Sequence, residues 1–227
     1  MALEHLLAVV ADACHPILYS DLLAGNARHS WCSASMGFGI LSNTLVRVAI
    51  FFAASAAIIR LSWRPLRDLR SHGFYRFFAF ELLSALILLN VPMWFRDPLS
   101  ARQLVSWFLG AVAIGLAIEG FRLLRAIGKP APTAARSANL AFENTTTLVT
   151  VGVYGLIRHP MYASLLALVW CAYLKNPFAI GGILLAPIAS GFLVATSVAE
   201  ERENLASFGA VYAAYMKRTR RFVPFLF

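Results

Sequence analysis

At 227 residues, 59% hydrophobic and only 14% charged, the chain is too apolar for an ordinary soluble domain. A net charge of +9 would suit a nucleic-acid binder, but the basic residues gather at the ends of apolar runs, which points to membrane topology and away from nucleic acid. Each membrane crossing needs about 20 apolar residues, so the length allows about five helices with short loops.

The first 35 residues are apolar but interrupted by Asp12, His15, Pro16 and Asp21, with no basic region ahead of them. They read as an interfacial or partly inserted extracytoplasmic segment, not a cleaved signal peptide, with a sixth span as the alternative. Cys14 and Cys32 would then face the oxidising side, where pairing is open to them, while Cys171 falls in a span. Three cysteines without CxxC spacing predict no metal site.

Expected spans follow at 36–59, 74–95 and 104–124, a three-helix scaffold within residues 36–127. Arg47 and Glu81 fall inside the first two and are expected to pair, because isolated intramembrane charges are costly; a substrate-binding role is the alternative. Glu119 and Arg122 are spaced to neutralise each other on one helix. Residues 128–153 change character: "GKPAPTAARSANLAFENTTTLVTVG" is rich in Pro, Ala, Ser, Thr and Gly, and connections this long are often functional. Within it, Glu143 and Asn144 are candidates for the acceptor site, with a Thr-capped turn as the alternative.

The fourth span, 156–174, is short, and "LKNPF" at 174–178 turns it into a fifth at 177–199, so the two read as a helical hairpin. Pro187 and nearby glycines predict a kinked, closely packed fifth helix. Three basic clusters fall on one side of this topology: Arg60, Arg64, Arg67, Arg70 and Arg76; then Arg122, Arg125, Lys129, Arg136 and Arg158; then Arg202, Lys217, Arg218, Arg220 and Arg221. The opposite side receives only Arg28, Arg96, Arg102 and Lys175. The basic side is therefore expected to be cytoplasmic, with the C-terminus inside and the N-terminus outside.

Two constellations on that side carry chemistry. In "RHPMY" (158–162), Pro160 suits the first turn of a helix, which puts His159 near its N-cap. The open N–H groups there make an anion site that Arg158 would reinforce; the plain alternative is a basic loop end. In "AEERENLASFGAVYAAYMKRTRRFVPFLF" (199–227), helical steps from Glu201 through Leu205, Phe208, Tyr212 and Tyr215 form one apolar stripe. That stripe favours Glu201 over Glu200 as the inward carboxylate. An anion site opposite an acidic, aromatic one suits a cofactor with a sulfonium, a carboxylate and a ribose, namely S-adenosylmethionine.

"LVTVGVYGLIRHPMYASLL" followed by "EERENLASFGAVYAAYMKRTRRFVPF" also resembles the isoprenylcysteine carboxyl methyltransferase and phospholipid methyltransferase superfamily. The likeness covers about the last third of the chain, residues 148–227, and departs from the usual pattern at Asn204, where a leucine is common. It implies an all-α, polytopic membrane helix bundle with a cytoplasmic C-terminal helix, whose residues 128–227 bind S-adenosylmethionine without a dinucleotide-binding fold. By that resemblance His159, Pro160, Tyr162, Tyr154, Tyr212, Gly152 and the Leu148–Val149 backbone would contact the cofactor, with Glu200 or Glu201 on its polar groups. Arg158 would be the catalytic or acceptor-orienting cation and Glu201 a catalytic base where the acceptor needs one. The implied acceptor is a lipophilic carboxylate, amine or thiol reached from the bilayer. The rival expectations are a sterol-reductase-like enzyme using NADPH and a non-catalytic membrane protein.

Overall fold

The computed structural model describes residues 43–128 and 147–224. Glu143, Asn144, Cys14, Cys32 and the N-terminal segment lie outside the described residues. The described residues form six α-helices: α1 (Thr44–Ser62), α2 (His72–Asn90), α3 (Ala101–Ile127), α4 (Pro160–Lys175), α5 (Ile180–Phe208) and α6 (Ala210–Arg218). There is no β-strand among the described residues, and four helices (α1, α2, α3 and α5) are long and apolar enough to cross a membrane. The protein is a polytopic, all-helical membrane protein.

Local sequence accounts for the helix ends. The Ser71 hydroxyl accepts from Gly73 N–H at 3.2 Å to start α2, and the Ser100 hydroxyl accepts from Gln103 N–H at 3.4 Å to start α3. Pro160 opens α4 from the first-turn position, where its missing N–H costs nothing. Leu156 to His159, expected to begin the fourth span, instead form a non-helical approach, so α4 has 16 residues and a length of about 24 Å. This helix is shorter than a bilayer core of about 30 Å.

The far end of α4 is fixed by polar contacts. Lys175, 1% exposed, donates to Gln103 Oε1 at 2.9 Å and lies 3.5 Å from the Trp107 ring centroid. Arg102 donates to the Leu174 and Lys175 carbonyls. The four residues 176–179 then reverse the chain into α5. The two helices are adjacent in sequence, yet α4 packs mainly along α3 and α5 mainly along α2. The core where α2, α4 and α5 meet is built from Ala79, Leu83, Leu86, Val169, Ala172, Ala186, Ala189 and Leu193. Its alanines let the backbones approach closely.

Arg47 and Glu81 do not pair as expected. Arg47 donates to the Leu88 and Leu89 carbonyls and to Thr44, whereas Glu81 accepts from Ser55 at 2.5 Å. A guanidinium can spend its charge on helix carbonyls a turn or more from the carboxylate, and periodicity alone does not distinguish these partners. Glu119 and Arg122 do pair, at 2.7 and 2.8 Å.

Candidate functional site

The second reach of chain, 147–160, is steered by one glycine. Gly152 has φ +60°, and a Cβ placed there would lie 2.8 Å from Leu123 Cδ1. A short 3₁₀ turn over Gly152–Gly155 follows. It buries Tyr154, whose hydroxyl reaches the Gly120 carbonyl at 3.5 Å. Gly120 also lets Pro160 and Met161 press onto α3, because a side chain there would begin within 3.5 Å of both.

The C-terminal tail closes against this segment. Ile157 and Arg220 form an isolated parallel bridge. Arg158 N–H donates to Arg220 O at 2.7 Å, His159 N–H to Arg221 O at 3.1 Å, and Arg220 N–H to Leu156 O at 3.2 Å. From α6, the Tyr215 hydroxyl donates to Tyr154 O at 2.6 Å. The residues just before α4 are therefore strapped on their outer side by the last turn of the chain.

One carboxylate gathers the cations of this region. Glu201, 4% exposed, accepts from Arg158 Nε at 2.8 Å and from Arg221 Nη2 at 2.7 Å, with His159 Nε2 at 3.3 Å. Arg158 also donates through Nη1 to the Met216 carbonyl at 3.2 Å and to the Thr219 carbonyl. Its Nη2 has no acceptor among the described residues. The His159 ring lies flat on Tyr162, with centroids 5.5 Å apart.

A cavity of about 250 Å³ opens beside this network. Leu148, Val149, Tyr154, Arg158, His159, Pro160 and Tyr162 form one wall. Glu200, Asn204 and Phe208 face them from one stripe of α5, with Tyr212 and Tyr215 from α6. Glu200 stays 30% exposed and stands 3.9 Å from His159 Nδ1. Burial pushes the Tyr212 and Tyr215 phenols well above the usual tyrosine range, so both are neutral hydrogen-bonding groups at physiological pH.

Glu200, not Glu201, lines the cavity. The stripe from Glu201 to Tyr215 assumed one continuous helix, but α5 stops at Phe208 and Gly209, at φ +53°, redirects the chain before α6. Within α5 Leu205, one turn after Glu201, is 38% exposed, while Tyr212 and Tyr215 are buried on α6. Gly152 does not line the cavity either; it shapes the backbone that carries Val149 and Tyr154 to it.

Sequence reasoning overlooked the contribution of α2. Arg76, counted above with the loop charges, lies inside α2, is 3% exposed and lines the cavity together with Phe80. The available signal was an arginine already past the Ser71 cap and flanked by apolar residues. Arg221, one of several tail cations, joins the site through Glu201, which nothing in its basic surroundings announces. Another overlooked tie is His72, whose backbone N–H and ring Nδ1 each meet a Glu203 carboxylate oxygen at 2.9 Å, fixing the start of α2 to α5.

A methyltransferase of Bradyrhizobium diazoefficiens, methanethiol S-methyltransferase 2, is 30% identical to this chain over 218 residues. The match spans 85% of this chain and 76% of that enzyme. The chain belongs to this methyltransferase family. No protein-family model matches it. Membership covers the membrane scaffold as well as the motif region, since so wide a match cannot be confined to the last third of the chain. The matched stretch therefore includes α2, the helix that supplies Arg76 and Phe80, as well as the Arg-His-Pro segment.

Proposed function

We propose that the protein is an S-adenosylmethionine-dependent methyltransferase of the isoprenylcysteine carboxyl methyltransferase-like group, with a small or lipophilic thiol as acceptor. The observation that carries the reading is the cavity walled by the start of α4 on one side and Glu200 on the other. The thiol rests on the printed activity of the Bradyrhizobium relative, which acts on methanethiol.

The residues fit the cofactor's chemistry. A carboxylate needs donors, and no side chain caps the N-terminus of α4, whose first amides are available to an anion in concert with the open Nη2 of Arg158. An ammonium or ribose needs an acceptor, and Glu200 is the carboxylate facing the cavity among the described residues. Tyr154, Tyr162 and Tyr212 bring aromatic faces to a cationic sulfonium. Bound there, S-adenosylmethionine supplies an electrophilic methyl group that is open to in-line displacement.

The protein's part is positioning and exclusion of water. Glu201 holds Arg158, His159 and Arg221 in one arrangement, which makes it a positioning residue in this reading and no longer a base. His159 and Tyr162 are immobilised by their mutual stacking. Phe80, Leu124 and Leu165 keep the acceptor end apolar, and a lipophilic acceptor enters between helices from the bilayer. Membrane lipids are the surroundings and nucleic acid has no part.

Calorimetric titration of the detergent-solubilised protein tests this. The expected result is saturable binding of S-adenosylmethionine and none of NADPH, with methyl transfer from tritiated cofactor to ethanethiol. Binding of NADPH alone would favour a reductase and overturn the proposal.

A further inference from the structure

Resting on the reading just given, we infer that Asn204 reads the cofactor's adenine. Its side-chain amide pairs with the edge of the base, while Phe208 takes the face of the base and Glu200 the ribose hydroxyls. Base selectivity thereby falls to a position where the superfamily pattern commonly has a leucine. A leucine can pack on a base but offers its edge no hydrogen bond.

The placement follows from α5. Glu200, Asn204 and Phe208 come at four-residue steps, so they share one face of the helix, and all three line the cavity. Each step advances about 6 Å along the axis, a separation that the ribose and the base edge of one nucleoside span. The direction is set at the Glu200 end. Glu200 stands 3.9 Å from His159 Nδ1, and His159 is the N-cap residue of α4. The amino-acid end of the cofactor belongs at that helix start, the ribose next to it at Glu200, and the base one to two turns further along α5. Among the described residues of the cavity wall, Asn204 is the one carboxamide.

Tyr212 prepares that amide. Gly209, at φ +53°, turns the chain out of α5, and α6 returns Tyr212 to Asn204, with the tyrosine 2% exposed. Burial pushes the Tyr212 phenol up, and a hydrogen bond from the Asn204 side chain draws it part of the way back, as an N–H donated to a phenol oxygen does. A primary amide has two N–H groups and a carbonyl oxygen. With one N–H on Tyr212, the second N–H and the carbonyl oxygen remain unspent among the described residues. That donor and acceptor, side by side, complement the 6-amino group and N7 of adenine. A base with oxygen at position 6 presents two acceptors instead, and sets one of them against the amide oxygen.

The test is calorimetric titration of the detergent-solubilised full chain with two ligands. One is S-adenosylhomocysteine, the demethylated cofactor; the other is S-inosylhomocysteine, which carries oxygen in place of the 6-amino group. The parent protein is expected to prefer the adenine compound about tenfold or more, the scale of one bidentate amide–base pair. Asn204→Leu should weaken S-adenosylhomocysteine about tenfold and leave S-inosylhomocysteine within about twofold, so that the preference disappears. Equal weakening of both compounds by Asn204→Leu would put the amide on a part of the cofactor that they share, and would overturn the inference. Equal affinity of the parent for both would mean that the base edge goes unread, and would overturn it too. This second comparison needs no variant, so a misfolded Asn204→Leu cannot hide the answer. Binding of neither compound by the parent would remove the proposed function along with the inference, whereas binding without base preference removes the inference alone.

Discussion

Glu200 and Glu201 are adjacent in sequence and divided in role by a helical step of about 100°, which follows from 3.6 residues per turn. Glu201 turns into the protein and meets Arg158, Arg221 and His159, with its side chain 6% exposed. Glu200 turns to the cavity and keeps contact with water. Glu201→Gln should therefore leave Arg158 and Arg221 without their counter-charge in a mostly buried setting, at a cost of about 3–5 kcal/mol. Thermal unfolding in detergent should register it as a large fall in Tm. Glu200→Gln should change stability by no more than about 0.5 kcal/mol and weaken S-adenosylmethionine about tenfold, the scale of one charge-assisted hydrogen bond. Equal stabilities of the two variants would remove the distinction between a positioning and a ligand-facing carboxylate.

At the scale of elements, the helices were largely legible and the joints were not. Long apolar runs bounded by Ser71, Ser100 and Pro160 locate α2, α3 and α4 to within a few residues, because burial in lipid and capping leave direct marks in composition. The end of α5 left no such mark: "NLASFGAVYAAY" keeps a helical period on both sides of Gly209, and only the positive φ reveals the turn. The parallel bridge between 157 and 220 was equally hidden, since one pair of backbone contacts between distant segments has no side-chain periodicity. For the site, the motif led to the walls from α4 and α5 but not to Arg76, because a basic residue near a helix start reads as loop charge until its burial is known. Gly152 is the joint whose cost can be measured. Gly152→Ala meets both the φ of +60° and the Leu123 contact, so it should destabilise the protein by about 1–3 kcal/mol. It should also displace Val149 and Tyr154 and so lower S-adenosylmethionine affinity. Chemical denaturation and calorimetry on the same sample would show the two effects together, and wild-type values in both would mean that the backbone tolerates the change.

For the whole molecule, the placement of charge decides which way the bundle stands. Arg60, Arg64, Arg67, Arg70, Lys217, Arg218 and Arg220 lie at the end of the bundle that carries the cavity, and all of them are exposed. At the other end, Lys175 is enclosed by Trp94, Trp107 and Gln103, and Arg102 is spent on helix carbonyls. The structure thus sharpens the charge asymmetry beyond what residue counts give, since on the far side Lys175 is buried and Arg102 is only partly exposed. Tryptophans 94 and 107 at that end also suit an interfacial belt. The helix lengths agree: α5, about 43 Å long, exceeds a hydrocarbon core of about 30 Å and carries Glu200 to Asn204 beyond it on the cavity side. The cavity end is therefore expected in the cytoplasm, where a water-soluble cofactor can reach it. The check is single-cysteine labelling in a chain whose own Cys14, Cys32 and Cys171 are replaced by alanine. Phe178→Cys, in the turn between α4 and α5 and 88% exposed, should react with a membrane-impermeant maleimide in intact right-side-out vesicles. Lys217→Cys, at the end of α6, should react only after the vesicles are opened. The reverse pattern would invert the topology and put the cavity on the side where no cytosolic cofactor arrives, so the same experiment bears on the orientation and on the chemistry proposed for the site.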